Sequence, residues 1–179
     1  MNIDQSVQKL LEGEVIAIPT ESVYGLSVDA LNPEAVKKLL KLKSRNFNKG
    51  FILITDDLKN CQDWLQIISP EHQEILKKIW PGPVTYLIPS SNQVPVYLKG
   101  DHETLAIRIS AHPVLSEIAK KLGRPLVSTS ANLTQHLPAK SVLEIKNYFG
   151  EDFFIAAGAL GNLDKPTAIF DLLSGKQIR

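Results

Sequence analysis

Four short stretches carry the side chains best suited to chemistry. Lys43-Ser44-Arg45-Asn46-Phe47-Asn48-Lys49 sets three cations within seven residues. Cations at a helix C-terminus complement its dipole, so a solvated face is one reading. In a loop before a strand, Lys43 and Arg45 would instead point the same way and grip a polyphosphate, Arg by its fork and Lys as a point charge. Thr104-Leu105-Ala106-Ile107-Arg108-Ile109 reads as a strand with Thr104, Ala106 and Arg108 on one face. An arginine among core residues needs a partner, which a structural salt bridge or a bound anion supplies equally. Ser128-Thr129-Ser130-Ala131-Asn132 follows the apolar Leu126-Val127 and suits either a ligand rim or a turn. Pro19-Thr20-Glu21-Ser22-Val23-Tyr24-Gly25-Leu26 follows a buried strand, at the end where open α/β sheets bind ligands. Thr20 and Tyr24 offer hydroxyls and Gly25 lets a backbone approach closely; a plain strand-to-loop turn with a buried tyrosine fits the same letters.

Other chemistries find little support. The sequence has no G-x-x-x-x-G-K-[ST] loop and no G-x-G-x-x-G after a strand. His72, His102, His112 and His136 show no i, i+4 pairing and no partnering cysteines, which argues against a protein-held zinc. Cys61 is the only cysteine and reads as inert packing. Ser22, Ser128 and Ser130 lack a G-x-S-x-G elbow.

The elements that must position these stretches alternate. A helix with Asp4 as its cap buries Val7, Leu10 and Leu11 and closes at Gly13; Val15 to Ile18 is a strand. Asn32-Pro33-Glu34 opens a helix that buries Val36, Leu39 and Leu40 and ends near Lys43. Phe51 to Ile54 is a strand. Ser69-Pro70-Glu71 opens a helix with Ile75, Leu76 and Ile79 inward, and Pro81-Gly82-Pro83 turns the chain into a strand from Val84 to Ile88. Strands follow at Leu105 to Ile109 and Leu126 to Ser130, with a helix from Pro113 to Leu122 between them. Ser141-Val142-Leu143-Glu144 is a capping box whose helix stops at Gly150; Phe153 to Ala156 and Thr167 to Asp171 are the last strands. The alternation predicts an α/β or α+β fold with a mixed sheet, in one domain over 1–179.

The 179 residues, 44% hydrophobic and 22% charged, are ordinary globular values, and a net charge of +1 excludes a generally basic nucleic-acid coat. A lone cysteine permits no internal disulfide, which suits a reducing cytoplasm. No basic segment followed by a long apolar run opens the chain, so neither a signal peptide nor a membrane span is expected.

Taken in register, these stretches resemble the YrdC-like family of threonylcarbamoyl-AMP synthases. Pro19 to Leu26 is similar to its P-T-[DE]-[ST]-V-Y-G-L, and Lys43-x-Arg45 with Ser130-x-Asn132 to its K-x-R…S-x-N. Trp80-Pro81-Gly82-Pro83-Val84-Thr85 and Pro125-Leu126-Val127-Ser128-Thr129-Ser130-Ala131-Asn132 resemble its W-P-G-P-[VL]-T and P-[LI]-V-S-T-S-A-N blocks. The length resembles the family's short branch. The sequence departs from longer members, which carry a histidine in the strand after the K-x-R loop, where Ile52, Leu53 and Ile54 stand here. It also reads Pro166-Thr167-Ala168 where many members have P-S-T.

The resemblance implies a twisted mixed sheet flanked by helices around a deep, positively charged cavity. It implies threonine contacts at Thr20, Arg108, Ser128 and Thr167, and ATP contacts at Lys43, Arg45, Thr104, Ser130, Asn132 and Arg179. ATP, L-threonine and bicarbonate or CO2 would be the substrates, with Mg²⁺ held mainly by the phosphates. The carbamate of threonine would attack the α-phosphate and release pyrophosphate, Lys43 and Arg45 acting as catalytic cations. The product would serve threonylcarbamoyladenosine modification of tRNA through a transient transferase complex, with no membrane partner. A non-catalytic RNA-binding module in rRNA or tRNA maturation is the alternative, since a positive cavity also suits a phosphate backbone.

Overall fold

The computed structural model describes residues 2–44 and 47–179, so Arg45 lies outside the described residues. Its centre is a seven-stranded mixed sheet. The strands are β1 (Ile16–Pro19), β2 (Tyr24–Asp29), β3 (Ile52–Thr55), β4 (Val84–Pro89), β5 (Thr104–Ile109), β6 (Leu126–Ser130) and β7 (Ala168–Asp171). They lie in the order β1-β2-β6-β3-β5-β4-β7. The pairs β3–β5 and β4–β7 are parallel and the rest antiparallel.

Among the described residues six α-helices accompany the strands: α1 (Ile3–Leu11), α2 (Pro33–Lys43), α3 (Pro70–Ile79), α4 (Val96–Lys99), α5 (Pro113–Leu122) and α6 (Val142–Phe149). The caps explain most of their boundaries. Asn32 and Ser69 accept from the third backbone N–H beyond them, each followed by proline at the first helical position. Ser141 and Glu144 form the reciprocal capping box. Gly123 ends α5 at φ 63°, a left-handed cap open to glycine at little cost.

The two sheet faces carry separate cores. Ile16, Ile18, Ile54 and Leu126 pack with Leu10 of α1 and Leu115 and Ile118 of α5. Leu26, Val28, Leu53, Leu105, Ile107 and Val127 belong to the other core, with Val36 and Leu39 of α2. The alternation along each strand sends neighbours to opposite faces, so both faces of the central strands are apolar near their middle.

Several expectations are corrected. Asp4 does not cap α1; Asn2 precedes the helix, and Asp4 sits in its first turn, paired with Lys121 at 2.6 Å. Leu11, Ile75 and Ile79 are exposed, because α1 and α3 each turn a narrower stripe inward than the spacing suggests. Tyr24–Asp29 is a full strand, made by the P-T-E-S turn folding back on β1 as a hairpin. Phe153 to Ala156 is a bridge at Ala17↔Ile155. There the Asn2 side chain donates to the Ile155 carbonyl and accepts from Ala157 N–H, standing where a further strand would pair. Lys43 is the last residue of α2 and lies in the helix, since the left-handed turn comes at Ser44 (φ 46°). Among the described residues no helix is long and apolar enough to cross a membrane.

Candidate active site

A cavity of about 490 Å³ opens on the same sheet face as α1 and α5, over the part of it that those helices do not cover. Strand register builds its floor. Ser128 lies opposite Ser27 and Ile52, Ile52 beside Ala106, and Ala106 opposite Leu87, so one row of side chains crosses five strands. Ser128, Ile52, Ala106 and Leu87 all line the cavity. The next pair along, Ile54 beside Arg108, brings the guanidinium to the cavity's end. Thr104, Ala106 and Arg108 do share a face, and all three line the cavity. Gly25 sits close to this row: a Cβ on it would stand 3.3 Å from Ser128 Oγ and 3.4 Å from Thr20 Cγ2, so the Ser128 hydroxyl would have to shift by a few tenths of an ångström.

Arg108 is 5% exposed. Its Nη1 donates to Thr167 Oγ1 at 2.7 Å, and its Nη2 lies 3.4 Å from Glu21 Oε2. Ser110 Oγ donates to Glu21 Oε1 at 2.6 Å and accepts from His112 N–H at 3.0 Å. Arg108 Nε and Glu21 Oε2 are buried without a hydrogen bond. Burial pulls the Arg108 pKa below its ordinary value; Glu21 opposes that shift and Arg179 adds to it. His112 Nε2 lies 3.0 Å from the Ala159 carbonyl, which can only accept, so the proton sits on Nε2. Burial, opposed by that bond and by Glu21, holds the His112 pKa low.

Thr20 Oγ1 donates to the Val23 carbonyl at 2.8 Å, which leaves its lone pairs toward the cavity free to accept. Arg179 stands at the same end, on the other side of Thr167: its Nε and Nη2 donate to the Thr167 carbonyl at 3.3 and 3.0 Å. Its own carbonyl accepts from Ile169 N–H, which fastens the last residues along β7. Lys49, Lys99 and His102 stand on the lining near Gly50, whose backbone (φ 57°) passes so close to Lys99 that a Cβ would fall 2.7 Å from its carbonyl oxygen. No aspartate or glutamate occurs among the described residues that line it.

Lys43, Ser130 and Asn132 are brought together at the end of α2 and β6. The buried ammonium of Lys43 donates to the Ser130 carbonyl at 2.7 Å, the Asn132 carbonyl at 2.6 Å and Asn132 Oδ1 at 2.8 Å. Ser130 Oγ also donates to Asn132 Oδ1, at 2.7 Å. Asn132 Nδ2 ties the following turn through the Leu133 and His136 carbonyls. Ser130 lines the cavity, whereas Lys43 and Asn132 do not. Among the described residues no group of three or more His, Cys, Asp or Glu is placed to hold a metal ion.

A family profile, Sua5_yciO_yrdC, described as telomere recombination, matches residues 8–179. The chain belongs to this family. Within the Sua5/YciO/YrdC family it is 39% identical over 178 residues to a threonylcarbamoyl-AMP synthase of Halorhodospira halophila, covering 99% of this chain and 93% of that one. It is 41% identical over 171 residues to the synthase of Methylococcus capsulatus, covering 95% and 92%. Among solved structures it resembles P. abyssi Sua5 complexed with L-threonine, with TM-score 0.85 and 28% identity. That match covers 94% of this chain and 50% of the Sua5 chain.

Of the residues singled out from sequence, Thr20, Thr104, Arg108, Ser128, Ser130, Thr167 and Arg179 line this same cavity of the Sua5/YciO/YrdC-family fold. Sequence reading passed over Glu21, Ser110 and His112. Glu21 had a visible signal, an acid between a buried strand and an apolar Val-Tyr-Gly-Leu run. Ser110 and His112 had none, because only the fold brings the end of β5 against the β1–β2 turn.

Proposed function

We propose that this chain is a threonylcarbamoyl-AMP synthase that forms L-threonylcarbamoyladenylate and pyrophosphate from ATP, L-threonine and bicarbonate or CO2. The observation that carries this reading is a single cavity with an arginine-hydroxyl cluster at one end and a basic, hydroxyl-bearing wall along the rest. Arg108 suits the threonine carboxylate, with Thr20, Ser128 and Thr167 as hydrogen-bonding neighbours. A site built to bond a hydroxyl discriminates strongly against analogues that lack it. Thr104, Ser130 and Arg179 suit the nucleotide, with Asn132 bracing Ser130.

The chemistry asks an anion to approach a polyanion. Two unit charges 4 Å apart repel by about 4 kcal/mol at an effective dielectric near 20. Each 1.4 kcal/mol is about tenfold in rate. The carbamate oxygen forms its bond to the α-phosphorus as the bond to the bridging oxygen breaks and pyrophosphate leaves. Cations fixed around the path lower that barrier without reorganising during the reaction. Lys43 contributes charge from behind Ser130 and rigidity through three hydrogen bonds. Arg45, two residues on, is proposed as the more direct phosphate contact. Mg²⁺ enters as part of the substrate, as MgATP, and compensates the phosphate oxygens. The adenylate is then handed to the machinery that modifies tRNA adenosine beside the anticodon.

The reading is tested by mass spectrometry of the product formed from ¹³C-bicarbonate, ATP and threonine. A labelled threonylcarbamoyl adenylate is expected. Plain AMP or ADP as the only nucleotide product would overturn it.

A further inference from the structure

Glu21 is the carboxylate that faces Arg108, and it does not itself line the cavity. Its Oε1 is held by the Ser110 hydroxyl at 2.6 Å and its Oε2 lies 3.4 Å from Arg108 Nη2. The backbone around it is clamped as well. Leu163 N–H donates to the Glu21 carbonyl and Gly161 N–H to the Thr20 carbonyl, both at 2.9 Å. The approach is so close that a Cβ on Gly161 would stand 2.7 Å from Glu21 O and 2.8 Å from its Cα. A side chain held on both flanks has little freedom to follow Arg108; Arg108 must orient to it.

The charges at this end of the cavity then balance in a specific way. Arg108 and Arg179 both lie on the lining and both donate to Thr167, one to its hydroxyl and the other to its carbonyl. Glu21 cancels one of the two. The remaining single positive charge matches one carboxylate, whereas two uncompensated arginines would match a phosphate group. We infer that Glu21 is a positioning and specificity residue: it fixes the Arg108 guanidinium against Thr167 and keeps the amino-acid end of the cavity selective for a monocarboxylate over the polyphosphate that binds beside it. The inference rests on the reading of the site given above and adds to it the device that keeps two anionic substrates in their own halves of one cavity.

The experiment is calorimetric titration of L-threonine into the full chain and its Glu21→Gln, Glu21→Asp and Ser110→Ala variants, with and without inorganic tripolyphosphate. Glu21→Gln keeps an acceptor for Ser110, removes the charge and replaces the oxygen facing Arg108 with an amide NH2 that cannot accept. It is expected to weaken threonine binding by at least about tenfold, the usual consequence of removing one partner of a buried charge pair. It should also make that binding sensitive to tripolyphosphate, which leaves the unsubstituted protein unaffected. Glu21→Asp should restore most of the affinity and the insensitivity. Ser110→Ala, which frees one side of the carboxylate, should shift both readouts the same way by about threefold, and it serves if Glu21→Gln does not fold. Unchanged threonine affinity in Glu21→Gln, or in Ser110→Ala where that is the folded variant, overturns the inference. So does equal suppression by tripolyphosphate in all proteins, or an Asp variant as weak as Gln. An unsubstituted protein that binds no threonine overturns the functional reading and this inference with it, so the two failures are told apart.

Discussion

Arg108 presents five N–H groups, and the buried cluster uses them unevenly: one reaches Thr167, one faces Glu21, and Nε has no acceptor. Such a group is poised for an added anion. Arg108→Ala is therefore expected to weaken threonine binding by at least about tenfold while ATP binding stays within about twofold. Calorimetry with each ligand checks the order, and the reverse order would reassign the arginine to the nucleotide. Lys43→Ala removes three donors from the carbonyls and amide of Ser130 and Asn132. A stability loss of about 1–3 kcal/mol in urea denaturation is expected from the acceptors left behind. Pyrophosphate release should fall at least tenfold, and near-normal turnover would remove Lys43 from the mechanism. Cys61 belongs to the packing alone. Burial pushes its thiol pKa up to about 12, so at pH 8 its thiolate is scarcer than that of an ordinary cysteine by roughly a thousandfold. Alkylation should therefore be very slow in the native protein and fast in denaturant; rapid native labelling would contradict the burial.

The elements act by register and by closeness of approach. The β1–β2 hairpin, the end of β5 and the segment before β7 meet around Glu21, and Gly161 makes that meeting possible. Gly161→Ala would drive a methyl into backbone that cannot yield. It is expected to cost about 1–3 kcal/mol of stability and to weaken threonine binding through the displaced Glu21, measured by thermal denaturation and calorimetry on one preparation. By contrast, Ser141→Ala breaks a capping box whose residues do not line the cavity. It should cost about 1 kcal/mol and leave threonine affinity unchanged. Helix boundaries of this kind were legible in the sequence because caps are local: Asn32-Pro33, Ser69-Pro70 and Ser141-x-x-Glu144 each specify their own start. Strand β2 was not legible, since its residues read as a loop until antiparallel pairing with both β1 and β6 gives them a place.

Across the whole molecule, the sheet order is what assembles the site. Placing β6 between β2 and β3, and β5 between β3 and β4, sets Ser128, Ile52, Ala106 and Leu87 in one row although they are distant in sequence. Sequence alternation correctly gave Arg108 and Thr104 a common face, because period-two faces are intrinsic to a strand. It could not give the crossover order, nor the Ser110–Glu21–Arg108 network, which depends on long-range contacts. Nor could it place Lys43, whose charge pattern reads as a loop grip while the helix in fact continues to it. Family membership ties this assembly to threonylcarbamoyl-AMP synthases matched over nearly the full chain. The most direct measurement is pyrophosphate release with MgATP, L-threonine and bicarbonate present together and with each omitted in turn. Release should require all of them and fall to background whenever one is missing. Steady release in the absence of threonine or bicarbonate would mean that the cavity serves ATP hydrolysis or another acceptor, and the account would be wrong.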